Sequence, residues 1–484
     1  MHKIFAIDDI LTEIFKYFEP YKLYPCVLVN NQWCKTAVRI LWQAPYIPNC
    51  FPQPDEKAWK SLKLLARTYL LCLTKNKYEF LKNEGLFLPT AASTTHNYPS
   101  FLKVLDISFI YNVADSWIIS EIVSEYQKSY YQEMLRMTLI ENLIEQANKI
   151  QFIHLDGNLK APISPILNKD TPSLQDLKGL FIYSQMNEQI FVRNIPTFTK
   201  QISEIAKKVE HITIREDSYR IDQDKENETN ALAELIEASS RLQSLEIIGY
   251  RNISQIFKSL QNKSNSLLNL SLKGIDLNQF DKPTIESWSP FIDLKILKKF
   301  VVSNDKLFGK FNQAAVLLII KIIKSANINL QHLELSITPL TPYNRSEIIS
   351  TITLNCTSLI YLNICNLSNS EIESILINCR KLKVLKFYRR NNFYDDNFIE
   401  IAENIPPSLN NLNITIMTKS YYPSSKSFKS FINNLKSNNR LKVLNIFQDK
   451  YNNLEESKQI LMERGIRLIY STLLGRINKK LDIL

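Results

Sequence analysis

The apolar residues of this chain recur in a six-residue pattern, apolar-x-x-apolar-x-apolar. Twelve copies begin at residues 102, 150, 177, 209, 242, 267, 297, 330, 359, 382, 409 and 441. After a first interval of 48 residues, successive copies start 23 to 33 residues apart. The alternation of apolar and polar positions predicts β-strands with one buried face. Positions one, four and six should point inward, and positions three, five and seven outward.

Helical patterns separate these predicted strands, as in residues 230–240, 370–381 and 427–439. Ser370 and Glu373 have the spacing of a capping box at the start of the second of these helices. Each unit is therefore predicted to run strand, turn, helix and return. A single unit cannot bury its apolar strand face, so the units should stack on one another.

Three segments depart from the regular unit. The apolar run 314–326 contains Lys321 and Lys324 and is too short to span a bilayer, which predicts a buried amphipathic helix. Residues 124–146 form a long helical pattern inside the first interval, which predicts an enlarged first repeat. The polar stretch 216–230 predicts an exposed loop.

The start of the chain has helical rather than strand periodicity. The apolar residues at spacings of three and four are Ile7, Ile10, Leu11, Ile14, Phe15 and Phe18. They predict a first helix that ends at Glu19-Pro20, a second that begins near Leu23 with Pro25 in its first turn, and a third that reaches Trp42. Three short helices cannot bury all these groups among themselves. Some should face a partner, or pack as a cap on the rest of the chain.

The order of residue types in this segment resembles an F-box. The matching residues are Asp8, Leu11, Glu13-Ile14-Phe15, Phe18, Leu23, Leu28-Val29-Asn30, Trp33-Cys34, Ala37 and Leu41-Trp42. The chain has Ala6-Ile7 where the family usually has Leu-Pro. F-boxes dock an apolar helical surface on a Skp1-type adaptor, which attaches to a cullin scaffold that carries the ubiquitin-conjugating machinery.

The resemblance implies a set of adaptor-facing residues. They are Ile7, Ile10, Leu11, Ile14, Phe15, Leu23, Val29 and Trp33. Some of these are expected to form the core of the three-helix module instead, and the sequence does not separate the two groups.

The period and motif of the remaining chain are similar to those of leucine-rich repeats. A regular asparagine ladder is absent, because of the positions compared only Asn158 carries the residue that the family often has there. A doubly wound α/β domain is a poorer match, since twelve units are too many for one such sheet and its central strands should be apolar on both faces. The predicted fold is an α/β solenoid. It comprises a three-helix F-box (1–45), a helical connector and loop (46–100), and a curved leucine-rich-repeat array of about twelve strand–helix units (101–484).

Composition excludes most catalytic chemistry. The chain has only 8 glycines, and neither GxGxxG nor GxxxxGK[ST] occurs. None of the 5 histidines has a His or Cys neighbour at metal-ligand spacing, and HExxH and GxSxG are absent. We therefore expect no enzyme activity, no metal and no cofactor. Cys356, Cys365 and Cys379 are expected to be packing residues.

Charge and cysteine usage bear on partners and location. The net charge of +11 is compatible with nucleic-acid binding, but Lys and Arg are spread along the chain without a dense basic cluster. A nucleic-acid partner is therefore disfavoured, and so is a membrane. The 7 cysteines form no CxxC, and the chain opens without the basic and apolar run of a signal peptide. A reduced location, cytoplasmic and/or nuclear, is expected.

Outward positions of the strands define a candidate target surface. The aromatic and cationic residues there are His154, Tyr183, His211, Arg215, Lys273, His332, Tyr361, Lys386, Tyr388 and Phe447. Tyr183, His211, Arg215, Tyr361, Lys386, Tyr388 and Phe447 are selected as target-binding candidates, since interfaces favour exposed aromatic and charged side chains. The sequence thus predicts a substrate-recognition adaptor of a Skp1-cullin-F-box ubiquitin ligase that binds an unidentified target protein. The alternative is a leucine-rich-repeat interaction scaffold without a ubiquitin-ligase role.

Overall fold

The fold is described from a computed structural model. It describes residues 2–45, 56–90, 94–121, 125–155, 171–184, 199, 202–203, 207–216, 225–249, 253–275, 293–303, 313–337, 340–389, 395–416, 430–431, 433–435, 441–447, 462 and 465–471. The chain divides into two compact units, Met1–Leu242 and Gln243–Leu484. This division falls inside the repeat region, whereas the boundaries predicted from sequence lie at 45/46 and 100/101. Asn158 and most of the helix predicted at 427–439 lie outside the described residues.

The helices of the first unit are α1 (His2–Lys16), α2 (Pro20–Val27), α3 (Asn31–Leu41), α4 (Glu56–Leu71), α5 (Lys75–Asn83), α6 (Ile107–Glu121), α7 (Glu125–Gln146) and α8 (Lys225–Ala238). Its strands are β1 (Val104–Asp106), β2 (Phe152–Leu155), β3 (Gly179–Ser184) and β4 (His211–Glu216). The four strands are parallel and pair in chain order. The register aligns Val104, Phe152, Gly179 and His211 across the sheet.

The helices of the second unit are α9 (Ser254–Ser259), α10 (Gln313–Ala326), α11 (Pro342–Asn355), α12 (Asn369–Asn378) and α13 (Asp395–Asn404). Its strands are β5 (Ser244–Ile248), β6 (Asn269–Lys273), β7 (Lys299–Ser303), β8 (His332–Ser336), β9 (Tyr361–Cys365), β10 (Val384–Arg389), β11 (Asn411–Ile416), β12 (Val443–Phe447) and β13 (Arg467–Ser471). They also form a parallel sheet in chain order.

The burial pattern follows the six-residue motif. Each of the twelve predicted strands begins two residues after the first apolar position of its motif. The first, fourth and sixth positions are buried in every repeat where the side chain is described, as for Leu242, Leu245 and Ile247. Parallel strands in chain order, joined by buried helices where the connection is described, as by α10 between β7 and β8 and by α12 between β9 and β10, are the arrangement of an α/β solenoid. The predicted stack of strand–helix units is therefore confirmed within each unit.

The first interval is long because it contains two helices. The sequence indicated α7, but α6 was missed, since its apolar residues lie on nearly all sides and show no clear period. Residues Ile107, Phe109 and Ile110 of α6 are buried, and the Asp106 side chain accepts a hydrogen bond from the Phe109 N–H at 2.9 Å. This helix packs against α4, which ties the connector to the first repeat.

Three local predictions are corrected. The capping box of α12 is formed by Ser368 and Glu371, two residues before the predicted pair Ser370 and Glu373. Helix α2 begins at Pro20, so Pro25 lies in its interior rather than in its first turn. Part of the segment predicted as an exposed loop, 225–230, belongs to α8.

The apolar run near residue 320 is helix α10, as predicted, and most of its side chains are buried. Among the described residues, no helix has the length and the apolar character needed to cross a bilayer.

Candidate protein-binding surfaces

Local sequence signals explain the three helices of the N-terminal module, residues 2–45. Pro20 occupies the first position of α2, where its missing N–H costs nothing. The Asn30 side chain accepts a hydrogen bond from the Trp33 N–H at 2.9 Å and caps α3. The Leu-Val-Asn-x-x-Trp segment therefore has a structural role, since its Asn fixes the start of the third helix.

Two side-chain contacts hold α1 against α3. The Gln32 Nε2 group donates to Asp8 Oδ1 at 2.8 Å, and the Arg39 Nη2 group donates to Thr12 Oγ1 at 3.3 Å. Asp8 and Thr12 are one turn apart and lie on the same side of α1. The side of α1 that carries Ile10 is turned away from these contacts.

The core of the module is small. Its buried residues are Leu11, Phe15, Leu23, Cys26 and Ala37, with Val27, Trp33, Ile40 and Leu41 packed against them. The rings of Phe15 and Trp33 meet edge to face, with their centroids 5.3 Å apart. The resemblance implied adaptor contacts for Leu11, Phe15 and Leu23. The structure corrects this, because a side chain that fills the core is not available to a partner.

Three residues of the predicted adaptor-facing set are exposed: Ile10, Ile14 and Val29. Trp33 is half-buried and contributes partly to the core. The side chain of Ile7 lies outside the described part of the structure. The predicted set thus divides into residues that build the module and residues that its surface presents.

Four further exposed apolar residues were not selected from the sequence. They are Tyr17, Phe18, Tyr24 and Leu28. Phe18 and Leu28 do belong to the motif that carries the F-box resemblance, and helical spacing places Tyr17 and Phe18 beside Ile14. The missing signal was the direction in which the core lies, which periodicity alone does not give.

Exposed apolar side chains are concentrated on the module. Of the 17 exposed large hydrophobic residues in the described part of the chain, 7 lie between residues 10 and 29. The other 10 are spread from Leu64 to Met462. Single exposed hydrophobic residues are ordinary on protein surfaces, but a group of this size on so short a segment is typical of an interaction site.

The backbone joins the module to the repeats through the repeats' own hydrogen-bonding pattern. The Gln43 carbonyl accepts from the N–H groups of Lys103 and Val104, at 2.8 and 3.0 Å. One rung later, the Lys103 carbonyl accepts from Gln151 and Phe152 at the same two distances. Gln43, two residues beyond the end of α3, thus acts as the rung that precedes β1, and it connects the module directly to the sheet.

Aromatic packing strengthens this connection. The Trp42 ring lies 4.2 Å from the Tyr98 ring and 5.6 Å from the Tyr69 ring, measured between centroids. Tyr69 is buried on α4, and burial raises the pKa of its hydroxyl far above the usual range. Trp42 therefore packs against both α4 and the end of the connector just before the first repeat, which fixes the orientation of the module within the first unit.

The outer sheet face of the first unit carries an aromatic cluster of Phe152, His154 and Phe181. The His154 and Phe181 rings are 4.4 Å apart, and the Phe152 and Phe181 rings are 6.3 Å apart. Asp106 Oδ2 lies 3.6 Å from His154 Nδ1 at one side. Phe152 and Phe181 occupy the third and fifth positions of their repeats, so the rule for outward positions identifies them although the candidate list omitted them.

Gly179 makes room for this cluster, which leads to a testable prediction. A Cβ at residue 179 would lie 2.5 Å from one carbon of the Phe152 ring and 2.8 Å from another. Gly179→Ala is therefore expected to cost about 1–3 kcal/mol, because the ring must move. Urea denaturation of the single variant and of Gly179→Ala combined with Phe152→Ala measures this. In the Phe152→Ala background, adding Gly179→Ala should cost much less free energy of unfolding than it does in the wild type. If Gly179→Ala costs the same in both backgrounds, the Phe152 ring is not the cause of the destabilisation.

The outer face of the second unit carries a stacked pair of rings. The rings of His332 and Tyr361 are parallel within 2° and their centroids are 4.0 Å apart. The Lys386 ammonium lies 5.2 Å from the centroid of the Tyr361 ring. Burial, together with the charge of Lys299, lowers the pKa of His332 below its usual value. His332 is therefore neutral at neutral pH, which suits a ring stacked beside two ammonium groups.

The target-binding candidates lie on these outer faces where they are described. Tyr183, His211, Tyr361 and Lys386 are half-buried, and Arg215 is exposed. The backbones of Tyr388 and Phe447 align with Thr415 between them, but their side chains lie outside the described part of the structure. The seven candidates belong to two units, and their role in target binding stays a prediction.

Three free cysteines lie in the repeats of the second unit. Cys356, Cys365 and Cys379 are all buried. Burial raises the pKa of the thiols of Cys356 and Cys379 to about 12. A thiol with so high a pKa carries little thiolate and is a poor nucleophile or metal ligand. Within the described residues, no group of three or more His, Cys, Asp or Glu residues could hold a metal ion.

The comparisons with known proteins find matches among solved structures. No protein-family model matches the sequence. A search of curated proteins found no match. Among solved structures, the crystal structure of a complex of Rad7 and Elc1 from yeast is 14% identical, and the match covers 86% of this chain and 93% of that chain with a TM-score of 0.43.

Proposed function

We propose that this protein is the substrate-recognition adaptor of a Skp1-cullin-F-box type ubiquitin ligase. In this proposal the N-terminal module docks on a Skp1-type adaptor, and the repeats bind the target protein. The observation that carries the proposal is the concentration of exposed apolar side chains between residues 10 and 29, on a module whose residue order resembles an F-box. The groove of a helix-binding partner would cover these side chains.

The role proposed for the protein is positional. A target held on the repeats is brought close to a ubiquitin carrier held by the partners, which raises the effective concentration of its lysines. The attachment of the module through Gln43 and Trp42 supports this role, because a fixed module defines the direction in which the first repeats extend. In this role the protein contributes no catalytic group of its own and needs no cofactor.

The test is direct binding of a purified Skp1-type adaptor, measured by calorimetry. Ile14 and Val29 are 45% and 55% exposed, so changing both to Asp should leave the module folded. We expect the double variant to bind the adaptor about 100-fold more weakly, because two apolar anchors are lost and two charges must be desolvated. Trp33 is not used, since it also packs against Phe15.

A matched control places the same two Asp substitutions at exposed apolar residues outside the module. Ile328 and Leu354 are exposed residues of the second unit, and changing both to Asp should leave adaptor binding unchanged. Circular dichroism should show equal thermal stability for both double variants. If the wild-type chain does not bind the adaptor, the ubiquitin-ligase proposal fails and the module is a structural cap.

A further inference from the structure

Exposed lysines precede three strands of the second unit. Lys298, Lys383 and Lys442 stand one residue before β7, β10 and β12. Their backbones belong to the same hydrogen-bond ladder: the Lys298 carbonyl accepts from the N–H groups of Gln331 and His332, the Lys383 carbonyl from those of Asn410 and Asn411, and the Lys442 carbonyl from that of Arg467. The three lysines therefore lie on a line that crosses the strands at the start of the sheet.

The outer face adds two more cations beside this line. Lys299 opens β7, and Lys386 lies in β10. In the strand order, His332 and Lys386 flank Tyr361, so the stacked imidazole covers one face of the Tyr361 ring and the ammonium covers the other. We call Lys298, Lys299, Lys383, Lys386 and Lys442 the lysine row.

The lysine row has an unbalanced charge. None of its five members makes an ion pair with another described residue, whereas Lys273 on the same sheet lies 2.7 Å from the Glu246 carboxylate. Among the outward positions of β7 to β12 and the residues just before these strands, Glu334 is the single acidic residue. Five cations and one anion on neighbouring strands favour a negatively charged ligand.

The spacing shows what size of ligand fits. Neighbouring strands are about 4.8 Å apart, so the row extends roughly 24 Å from β7 to β12. A single small anion contacts one or two of these lysines at most. An extended peptide advances about 3.3 Å per residue, so some seven residues would match the row.

We propose that the lysine row binds an acidic segment of the target protein, an extended stretch with several carboxylate or phosphate side chains. This inference rests on the proposed function, because it names the chemistry of the target that the adaptor recruits. Nucleic acid fits less well, since surfaces for single strands offer open aromatic faces to the bases, and both faces of Tyr361 are already covered.

Fluorescence anisotropy with the full-length chain tests the inference. The probes are labelled peptides of about twelve residues, long enough to span the row of roughly 24 Å. One alternates Glu and Gly, a second alternates phosphoserine and Gly, and a neutral third alternates Ser and Gly. We expect the two acidic probes to bind and the neutral probe not to bind. The stronger of the acidic probes shows whether carboxylates or phosphates are preferred.

Two triple variants of equal charge separate the row from the overall charge of the chain. Lys298→Gln, Lys383→Gln and Lys442→Gln together should weaken acidic-probe binding about tenfold or more. Lys258→Gln, Lys324→Gln and Arg380→Gln together remove three exposed cations elsewhere in the same unit and should change the affinity less than twofold. Equal losses in both triple variants would overturn the inference, because net charge alone would then explain binding.

Two further outcomes would also contradict it. One is binding of neither acidic probe at low ionic strength. The other is a single-stranded oligonucleotide that binds more tightly than both peptides and loses its affinity in the lysine-row variant, because the row would then be a nucleic-acid surface. Adaptor binding is measured in the same variants. If the acidic probes fail to bind while the adaptor still binds, only this inference is removed. If the wild-type chain does not bind the adaptor, the proposed function is removed.

Discussion

Phe15→Ala is expected to destabilise the N-terminal module by about 3–5 kcal/mol. Phe15 is only 1% exposed and is the largest side chain of the module's small core. Its ring meets Trp33 edge to face and also lies 5.9 Å from the ring of Phe18. Three short helices offer few other side chains that could move into the space, so most of the cavity should remain.

Amide hydrogen exchange is the measurement for this variant, because it reports the stability of α1 and α3 apart from the repeats. Tyr17→Ala is the matched control, since Tyr17 directly follows the last residue of α1 and is 87% exposed. The control should exchange like the wild type. If α1 and α3 of the Phe15 variant retain wild-type protection, Phe15 does not hold the module together.

This variant also separates two ways of losing adaptor binding. Phe15→Ala should lose binding together with the structure of the module, whereas the double Asp variant at Ile14 and Val29 should lose binding with the structure intact. Observing both results would show that neighbouring residues on one helix have different roles, one in the core and one at the proposed interface.

The strands were predictable because their signal is strictly local. In a strand the side chains alternate between two faces, so the spacing of Leu242, Leu245 and Ile247 already indicates which side is buried. The final strand, β13, was missed since its motif begins with Gly465 and has Tyr470 where the other copies have an aliphatic residue or Phe.

The helices of the module show where sequence reasoning stops. Helical periodicity places Ile10, Leu11, Ile14 and Phe15 on one broad apolar stripe, wider than the contact that one neighbouring helix can cover. The boundary between core and surface within that stripe is set by the contacts of Asp8 and others with α3, which join residues far apart in sequence. Spacing along one helix contains no information on such contacts.

The capping box of α12 had a similar ambiguity. Two pairs in the segment have the Ser-x-x-Glu spacing, Ser368 with Glu371 and Ser370 with Glu373. The first pair forms the cap because Glu371 also reaches the preceding repeat, where Arg345 Nε donates to its carboxylate at 2.9 and 3.1 Å. A tertiary contact thus selected the start of the helix from two local possibilities.

Glu371→Ala is therefore expected to destabilise the second unit by about 3–5 kcal/mol, as removal of one partner of a buried ion pair does. The Glu371 carboxylate accepts hydrogen bonds from Arg345, from Ser346 Oγ at 3.0 Å and from the Ser368 N–H at 2.6 Å. Its side chain is only 8% exposed and that of Arg345 is 13% exposed, so the variant leaves a guanidinium without its anion in a dry environment.

Urea denaturation gives the free energy of unfolding, and Glu373→Ala is the matched control because it removes an exposed glutamate from the same helix. The control should stay within about 0.5 kcal/mol of the wild type. Arg345→Ala combined with Glu371→Ala should lose much less than the sum of the two single losses, since no unpaired charge remains. Equal losses for Glu371→Ala and Glu373→Ala would mean that the link between α11 and α12 contributes nothing. The expected result instead makes this carboxylate the residue that both starts one repeat's helix and attaches it to the helix before, which is how neighbouring repeats of a solenoid come to fold as one body.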